Sequence, residues 1–321
     1  MPVSLAGMSH RLLPVIRPFE VTTPVVVRTQ DLMSAHARRG ARPIYYGYSV
    51  VPDAAQSDHG PARRRRDELL ALVTALASAQ MDGRWFCYEA AALVWGCFAV
   101  DLGRYVDVNQ PFTQRRSPDA RIRRHHSVIP KDQLEVVDGI PVTTLARTVV
   151  DCARALPAHR ALVIADSAAR SGLREHDVHR CVESLRGGRG IRRARWLLTL
   201  VDGGSESPGE TLTRLALIEA GLPRPVTQVL VHTAEGMRYG DMGWPDRRVL
   251  VEFDGQVKYA DGHGSGGAAA LIAEKRRQEA IEDAGWIVLR VMWEDLRTPE
   301  RLTERVLSAF HRARLVRMAT T

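Results

Sequence analysis

Three carboxylates crowd one short stretch of the chain. Asp241 opens it, Glu252 interrupts the apolar run Val249, Leu250, Val251 and Phe253, and Asp254 follows directly. Four to eight apolar or β-branched residues between turn formers read as a buried strand, and Trp244-Pro245-Asp246 supplies the turn before it. A carboxylate near a core is costly unless it is paired or holds a cation. If neighbouring strands bring Asp241 and Glu252 together, two hard oxygen donors converge in a way that suits Mg²⁺ or Mn²⁺. Such a metal neutralises negative charge developing beside it and lowers the pKa of a bound water. Glu252 is the harder acid to explain otherwise, because unpaired acids are rare in apolar strands. Asp241 alone also reads as a turn former at a strand end.

The elements around these acids follow from caps and periodicity. Ser207 is the N-cap of a helix, with Pro208 at its first position and Glu210 at the third, completing a capping box; Gly221 ends it. Strands are expected over 226–233, 237–242 and 248–253. A glycine-rich loop covers 254–267, a helix 268–284, a strand 286–292, and a last helix begins at Thr298-Pro299. The order is α-β-β-β-α-β-α. A turn-rich linker, 201–206, precedes it.

With the acidic positions, this order over residues 207–300 resembles the PD-(D/E)xK nuclease superfamily, in the branch near the very-short-patch-repair (Vsr) endonucleases. The similarity runs from Asp241 and Pro245 through the hydrophobic strand to Phe253-Asp254-Gly255. The resemblance implies metal ligation by Asp241 and Glu252, with Glu210 as the first-helix acid; the capping box explains Glu210 equally well. It also implies a lysine at position 254, where this chain has Asp254. Asp254 is then a third ligand or a loop cap, and Lys258 and Lys275 are the candidates to supply the positive charge. Lys275 also reads as the partner of Glu279 on a solvated helix face. Gln256 and His263 in the loop carry little chemistry.

The first part of the chain is different in charge. Residues 201–321 carry 16 Lys+Arg against 18 Asp+Glu, whereas residues 1–200 carry 29 against 19. A basic region of this kind matches nucleic acid electrostatically, although an arginine-rich composition gives the same count. Arg63, Arg64 and Arg65 lead into a helix over 67–80, and Arg115, Arg116, Arg123 and Arg124 surround an expected basic hairpin; these are the candidate phosphate contacts. A solvated helix start is the plainer role for the first group. His125 and His126 read as surface residues. Residues 29–40 read as a short helix and 44–51 as a strand, compatible with part of a winged helix. Helices are expected over 86–96 and 158–200, broken at Gly172 and at Gly187-Gly188, with a strand over 104–109.

Gly139, Pro141, Val142, Thr143, Ala146, Arg147, Thr148 and Asp151 form a second recognisable pattern. Ile140 and Val142 suit a strand end, Thr144 caps the following helix, and Arg147 and Asp151 stand one turn apart. Over roughly 85–175 this pattern resembles the N-terminal region of the AbiEi-type antitoxin family. That family implies a DNA-binding winged helix and a toxin partner.

Taken together, the chain reads as α/β (α+β). Its parts are an N-terminal arm and winged-helix remnant (1–53), a basic, mostly helical antitoxin-like region (63–200), and a restriction-endonuclease-like αβββαβ domain (207–317). Of the 321 residues 45% are hydrophobic and 26% charged, ordinary for a globular protein, and no apolar window is long enough to span a membrane. Four widely spaced cysteines without a CxxC pair point to a reduced, cytoplasmic setting. The leading expectation is a Mg²⁺- or Mn²⁺-dependent DNA endonuclease or nickase, with RNA as a further substrate class and a homodimer as one assembly. The alternative is an inactive DNA-binding regulator or antitoxin of an abortive-infection, type IV toxin–antitoxin system.

Overall fold

The structure, a computed structural model, describes residues 25–29, 41–45, 47–51, 60–79, 83–111, 119–255 and 268–319. The chain divides into two compact units, Met1–Gly203 and Gly204–Thr321. It is a mixed α/β protein with three sheets among the described residues. No helix of the described residues is long and apolar enough to cross a membrane.

The first unit opens with β1 (Val25–Arg28), β2 (Arg42–Tyr45) and β3 (Tyr48–Val51), an antiparallel sheet of order β1-β3-β2. The single strand expected over 44–51 is therefore a hairpin. It reverses at Gly47, whose φ of +72° a glycine adopts without strain. The helix expected over 29–40 lies outside the described residues apart from Thr29. Helix α1 (Pro61–Ser78) starts earlier than periodicity alone suggests. Pro61 suits a first helical position, so the arginine run is helical rather than a lead-in. Leu69, Leu70, Leu72, Val73 and Leu76 bury its other face.

The region expected to be mostly helical also holds a five-stranded sheet. Its strands are β4 (Trp85–Phe86), β5 (Val106–Asn109), β6 (Ile122–His125), β7 (Leu134–Val137) and β8 (Ile140–Thr143), in the order β6-β5-β4-β8-β7. Instead of forming a basic hairpin, β6 runs parallel to β5, pairing Val106 with Ile122 and Asp107 with Arg123. The dozen or so residues between the two strands are what a parallel crossover requires and far more than a hairpin needs. Phe86, Leu93, Val106, Val108 and Val142 fill the core with the leucines of α1. Five helices follow or pack beside the sheet: α2 (Tyr88–Val94), α3 (Leu145–Ala155), α4 (Ala158–Arg170), α5 (Glu175–Ser184) and α6 (Ile191–Leu198). Thr144 caps α3, its hydroxyl accepting from the Arg147 amide.

The second unit runs α7 (Pro208–Glu219), β9 (Val226–Thr233), β10 (Gly236–Trp244), β11 (Val249–Phe253), α8 (Ala268–Asp283), β12 (Ile287–Val291) and α9 (Pro299–Ala319). The sheet order is β12-β11-β10-β9, with β12 parallel to β11 and the other pairs antiparallel. Side chains alternate faces along β11. Val249 and Val251 pack with Leu217, Trp244, Leu302 and Val306, whereas Leu250 packs with Val229, Val231 and Ile281 of α8. Glu252, two residues after Leu250, shares the α8 face.

Candidate functional site

The acids singled out from the sequence do gather in the second unit. Met242 of β10 pairs with Val251 of β11, so continuing that register by one residue sets Asp241 beside Glu252. Glu252 is 7% exposed and Glu210, on the first turn of α7, is equally buried. Ser207 caps α7 as expected, its Oγ accepting from the Glu210 amide at 3.2 Å. The Glu210 carboxylate reaches one residue further back than a capping box requires, accepting from the Glu206 amide at 2.7 Å.

Burial is the first cause acting on all three carboxyls, and it pushes each above its ordinary range. Glu210 rises to about 7, with the Asp241 charge adding to burial and the Glu206 amide opposing it. Asp241 is restrained by the Phe253 amide, which donates to Oδ2 at 2.7 Å. Glu252 is restrained by Arg277 of α8, whose Nη2 lies 2.8 Å from Oε1. Arg277 also bonds Glu274 at 3.0 Å and the Tyr239 carbonyl at 3.1 Å. Arg290 of β12 closes the far side, 2.7 Å from Glu274 and 3.8 Å from Asp254.

These contacts test the donor set against Mg²⁺ or Mn²⁺. Glu252 already holds a guanidinium, and Asp241 and Glu210 are each engaged by a backbone amide. Among the described residues no group of three or more His, Cys, Asp or Glu is arranged to hold a metal ion. A metal at the Asp241–Glu252 pair would have to displace Arg277, so the site as built fits a divalent ion poorly. Lys275 points away from the acids: it is 79% exposed and pairs with Glu279 at 3.7 Å. Lys258, Gln256 and His263 lie outside the described residues. Glu274 and Arg290 are the residues missed in the sequence; Arg277, which reads there with Lys275 as part of a solvated helix face, reaches Glu252 instead. Arg277 is two positions from Lys275 and so lies on the opposite side of α8.

The basic candidates of the first unit separate into two kinds. Arg63 and Arg64 are exposed on the first turn of α1, and no side-chain bond engages them among the described residues. Arg65 is committed: it donates to the Gly103 carbonyl and pairs with Glu68. Arg123 is committed more firmly, with Nε 2.5 Å and Nη2 2.9 Å from the fully buried Asp107. Arg124 is half-buried, its Nη1 out of solvent and without a partner. Arg115 and Arg116 lie outside the described residues.

His125 is a correction: it is a structural residue. Arg123 and His125 are two apart on β6 and so share a face, and both reach Asp107 of the neighbouring strand. His125 Nε2 is 2.7 Å from Asp107, and its ring lies 4.5 Å from that of Tyr88. Two further charge clusters lie in the first unit, and the sequence showed only the Arg147–Asp151 pair of one of them. Glu89 of α2 receives Arg160 of α4 at 2.6 Å. On α3, Asp151 holds Arg147 at 2.6 Å and Arg154 at 2.9 Å, while Arg147 also bonds Gln133. The Arg147–Asp151 pair is the turn-spaced pair of the sequence pattern, now buried at 5% and 4% exposure.

Residues 87–200 match the family model of the AbiEi antitoxin C-terminal domain. The resemblance read from Gly139–Asp151 is thus to that family's C-terminal domain rather than to its N-terminal region. Two uncharacterized proteins of Mycobacterium tuberculosis, from strains CDC 1551 / Oshkosh and ATCC 25618 / H37Rv, are each 32% identical over 232 residues, covering 71% of this chain and 82% of theirs. No solved structure matches. The antitoxin match overturns the expectation of a metal-dependent endonuclease or nickase, and with it the hydrolase and magnesium-dependent character drawn from residues 207–300. None of the matches supports the resemblance to the PD-(D/E)xK nucleases or their Vsr branch.

Proposed function

The chain belongs to the family of those two mycobacterial proteins, and from that premise we propose that it is a DNA-binding regulator or antitoxin of an abortive-infection type system. The observation that carries this reading is the match of residues 87–200 to the AbiEi antitoxin C-terminal domain. The charge distribution supports it: the excess of basic residues lies in residues 1–200, the part that holds the match. So does α1. The first turn of a helix carries the positive end of its dipole, and Arg63 and Arg64 stand there without an acid in that turn. Phosphate oxygens are the natural counterpart of such a surface, and contacts of this kind fix position and affinity without reading sequence.

On this reading a toxin is the protein partner. The four free, buried cysteines agree with a reducing compartment such as the cytoplasm. The test is a gel shift of the full chain with duplex DNA over a range of salt. Binding should fall steeply with salt, and Arg63→Ala with Arg64→Ala should lower the log–log slope by about 1–2. A slope unchanged in the double variant, or no duplex binding at low salt, sinks the proposal.

A further inference from the structure

Residues 185–198 hold five arginines and no acid. They form the turn after α5 and the whole of α6. Two of the arginines are tied: Arg195 pairs with Glu183 at 2.9 Å, and Arg193 donates to the Leu156 carbonyl. The other three are not. Arg186, Arg189 and Arg192 are exposed, and no side-chain bond holds them among the described residues.

The backbone that carries them is held firmly. Gly190 has φ +79°, and a Cβ there would stand 2.5 Å from the Arg154 carbonyl oxygen. At Gly188 a Cβ would meet the Leu185 carbonyl at 2.9 Å and the Arg154 guanidinium at 3.2 Å. The Arg154 Nε donates to the Arg189 carbonyl at 2.9 Å while its Nη1 holds Asp151. The glycine turn is therefore clamped to the buried Arg147–Asp151–Arg154 cluster; Arg186 and Arg189 project from the turn and Arg192 from the first turn of α6.

Trp196 completes the surface. It stands one turn after Arg192, so the two share a face of α6, and its side chain leans back toward Arg192. It is 47% exposed. Trp95 and Trp244 donate their indole N–H groups to the carbonyls of Thr143 and Pro223, but that of Trp196 has no such acceptor among the described residues.

An exposed aromatic face flanked by unpaired arginines on a rigid turn is the arrangement that takes an unpaired base and its neighbouring phosphates. A duplex offers phosphates but keeps its bases stacked within. We infer that Arg186, Arg189, Arg192 and Trp196 form a single-stranded nucleic-acid site: Trp196 stacks an unpaired base, and the arginines hold the flanking phosphates. This site is separate from Arg63 and Arg64, which serve the duplex.

The experiment is fluorescence anisotropy of the full chain with labelled oligo(dT) and oligo(rU) of about 15 nucleotides, and with a duplex of similar length. Trp196→Ala should weaken single-strand binding roughly tenfold or more and leave duplex binding unchanged. Trp196→Phe, which keeps a stacking face, should retain most of it. Arg192→Ala should lower the salt slope for the single strand by about 0.7. Tighter binding of oligo(dT) or of oligo(rU) identifies the sugar the site prefers and supports the site either way. Three results overturn it: no single-strand binding by the full chain, equal binding by Trp196→Ala, or an equal loss for single strand and duplex. Failure of the α1 reading would appear instead in the Arg63 and Arg64 variants on duplex DNA.

Discussion

The two units bury charge in opposite ways. In the first, the buried acids that organise the fold meet their own arginines: Asp107 has Arg123, Glu89 has Arg160, and Asp151 has both Arg147 and Arg154. In the second, Glu210, Asp241 and Glu252 crowd together with Glu274; Arg277 reaches Glu252 and Glu274 from α8, and Arg290 reaches Glu274 from β12. Removing one partner of a matched buried pair strands a charge, whereas removing an acid from a crowded group relieves repulsion. The difference teaches that an acid in an apolar strand announces buried charge. What that charge does depends on the cations that reach it.

The largest expected effect breaks the matched side. Asp151→Ala leaves two guanidiniums facing each other, one of them buried, and releases the clamp on the glycine turn. It should cost the first unit about 3–5 kcal/mol, read as a lowered midpoint in thermal or denaturant unfolding. A loss under about 1 kcal/mol would show that the cluster is a solvated surface feature.

Next comes a steric test in the second unit. Gly209→Ala places a methyl within 1.9 Å of the Phe253 ring, which already lies against Trp293 at 4.9 Å. Overpacking there should cost about 1–3 kcal/mol. Unchanged stability would mean that α7 does not press on β11.

The crowded side should respond to pH. The Glu210 carboxyl titrates near 7 in the folded chain, against 4.5 ordinarily. The folded state therefore holds the proton more tightly, and stability falls as pH rises from about 4.5 through 7. Glu210→Gln removes that slope and stabilises the second unit above pH 7, by at most about 3 kcal/mol. A variant whose stability still declines in parallel with the parent across that window would place the titration elsewhere.

Much of the second unit was legible before the structure. Its caps, turn residues and alternation mark α7, β9 and β11 within a residue or two, because each element carries its own local signal. The first unit was less so. The two residues of β4 are too short for any period to show, and the parallel pairing of β5 with β6 depends on a crossover that leaves no local trace. Arg123 looked like a free phosphate contact because sequence shows its charge and not Asp107 on the next strand. Lys275 and Arg277 look alike in sequence; only the turn of α8 separates the solvent-facing one from the one at Glu252. Arg186, Arg189, Arg192 and Trp196 were passed over in the sequence, although the run of arginines without an acid and the one-turn spacing of Arg192 and Trp196 were there to be read.

The most direct test of the account is incubation of the full chain with supercoiled plasmid and Mg²⁺, with strand integrity and retardation read on the same gel. Retardation should be salt-sensitive and diminished by Arg63→Ala with Arg64→Ala, and the plasmid should stay supercoiled. Metal-dependent nicking by the parent chain that disappears in Asp241→Ala would contradict this.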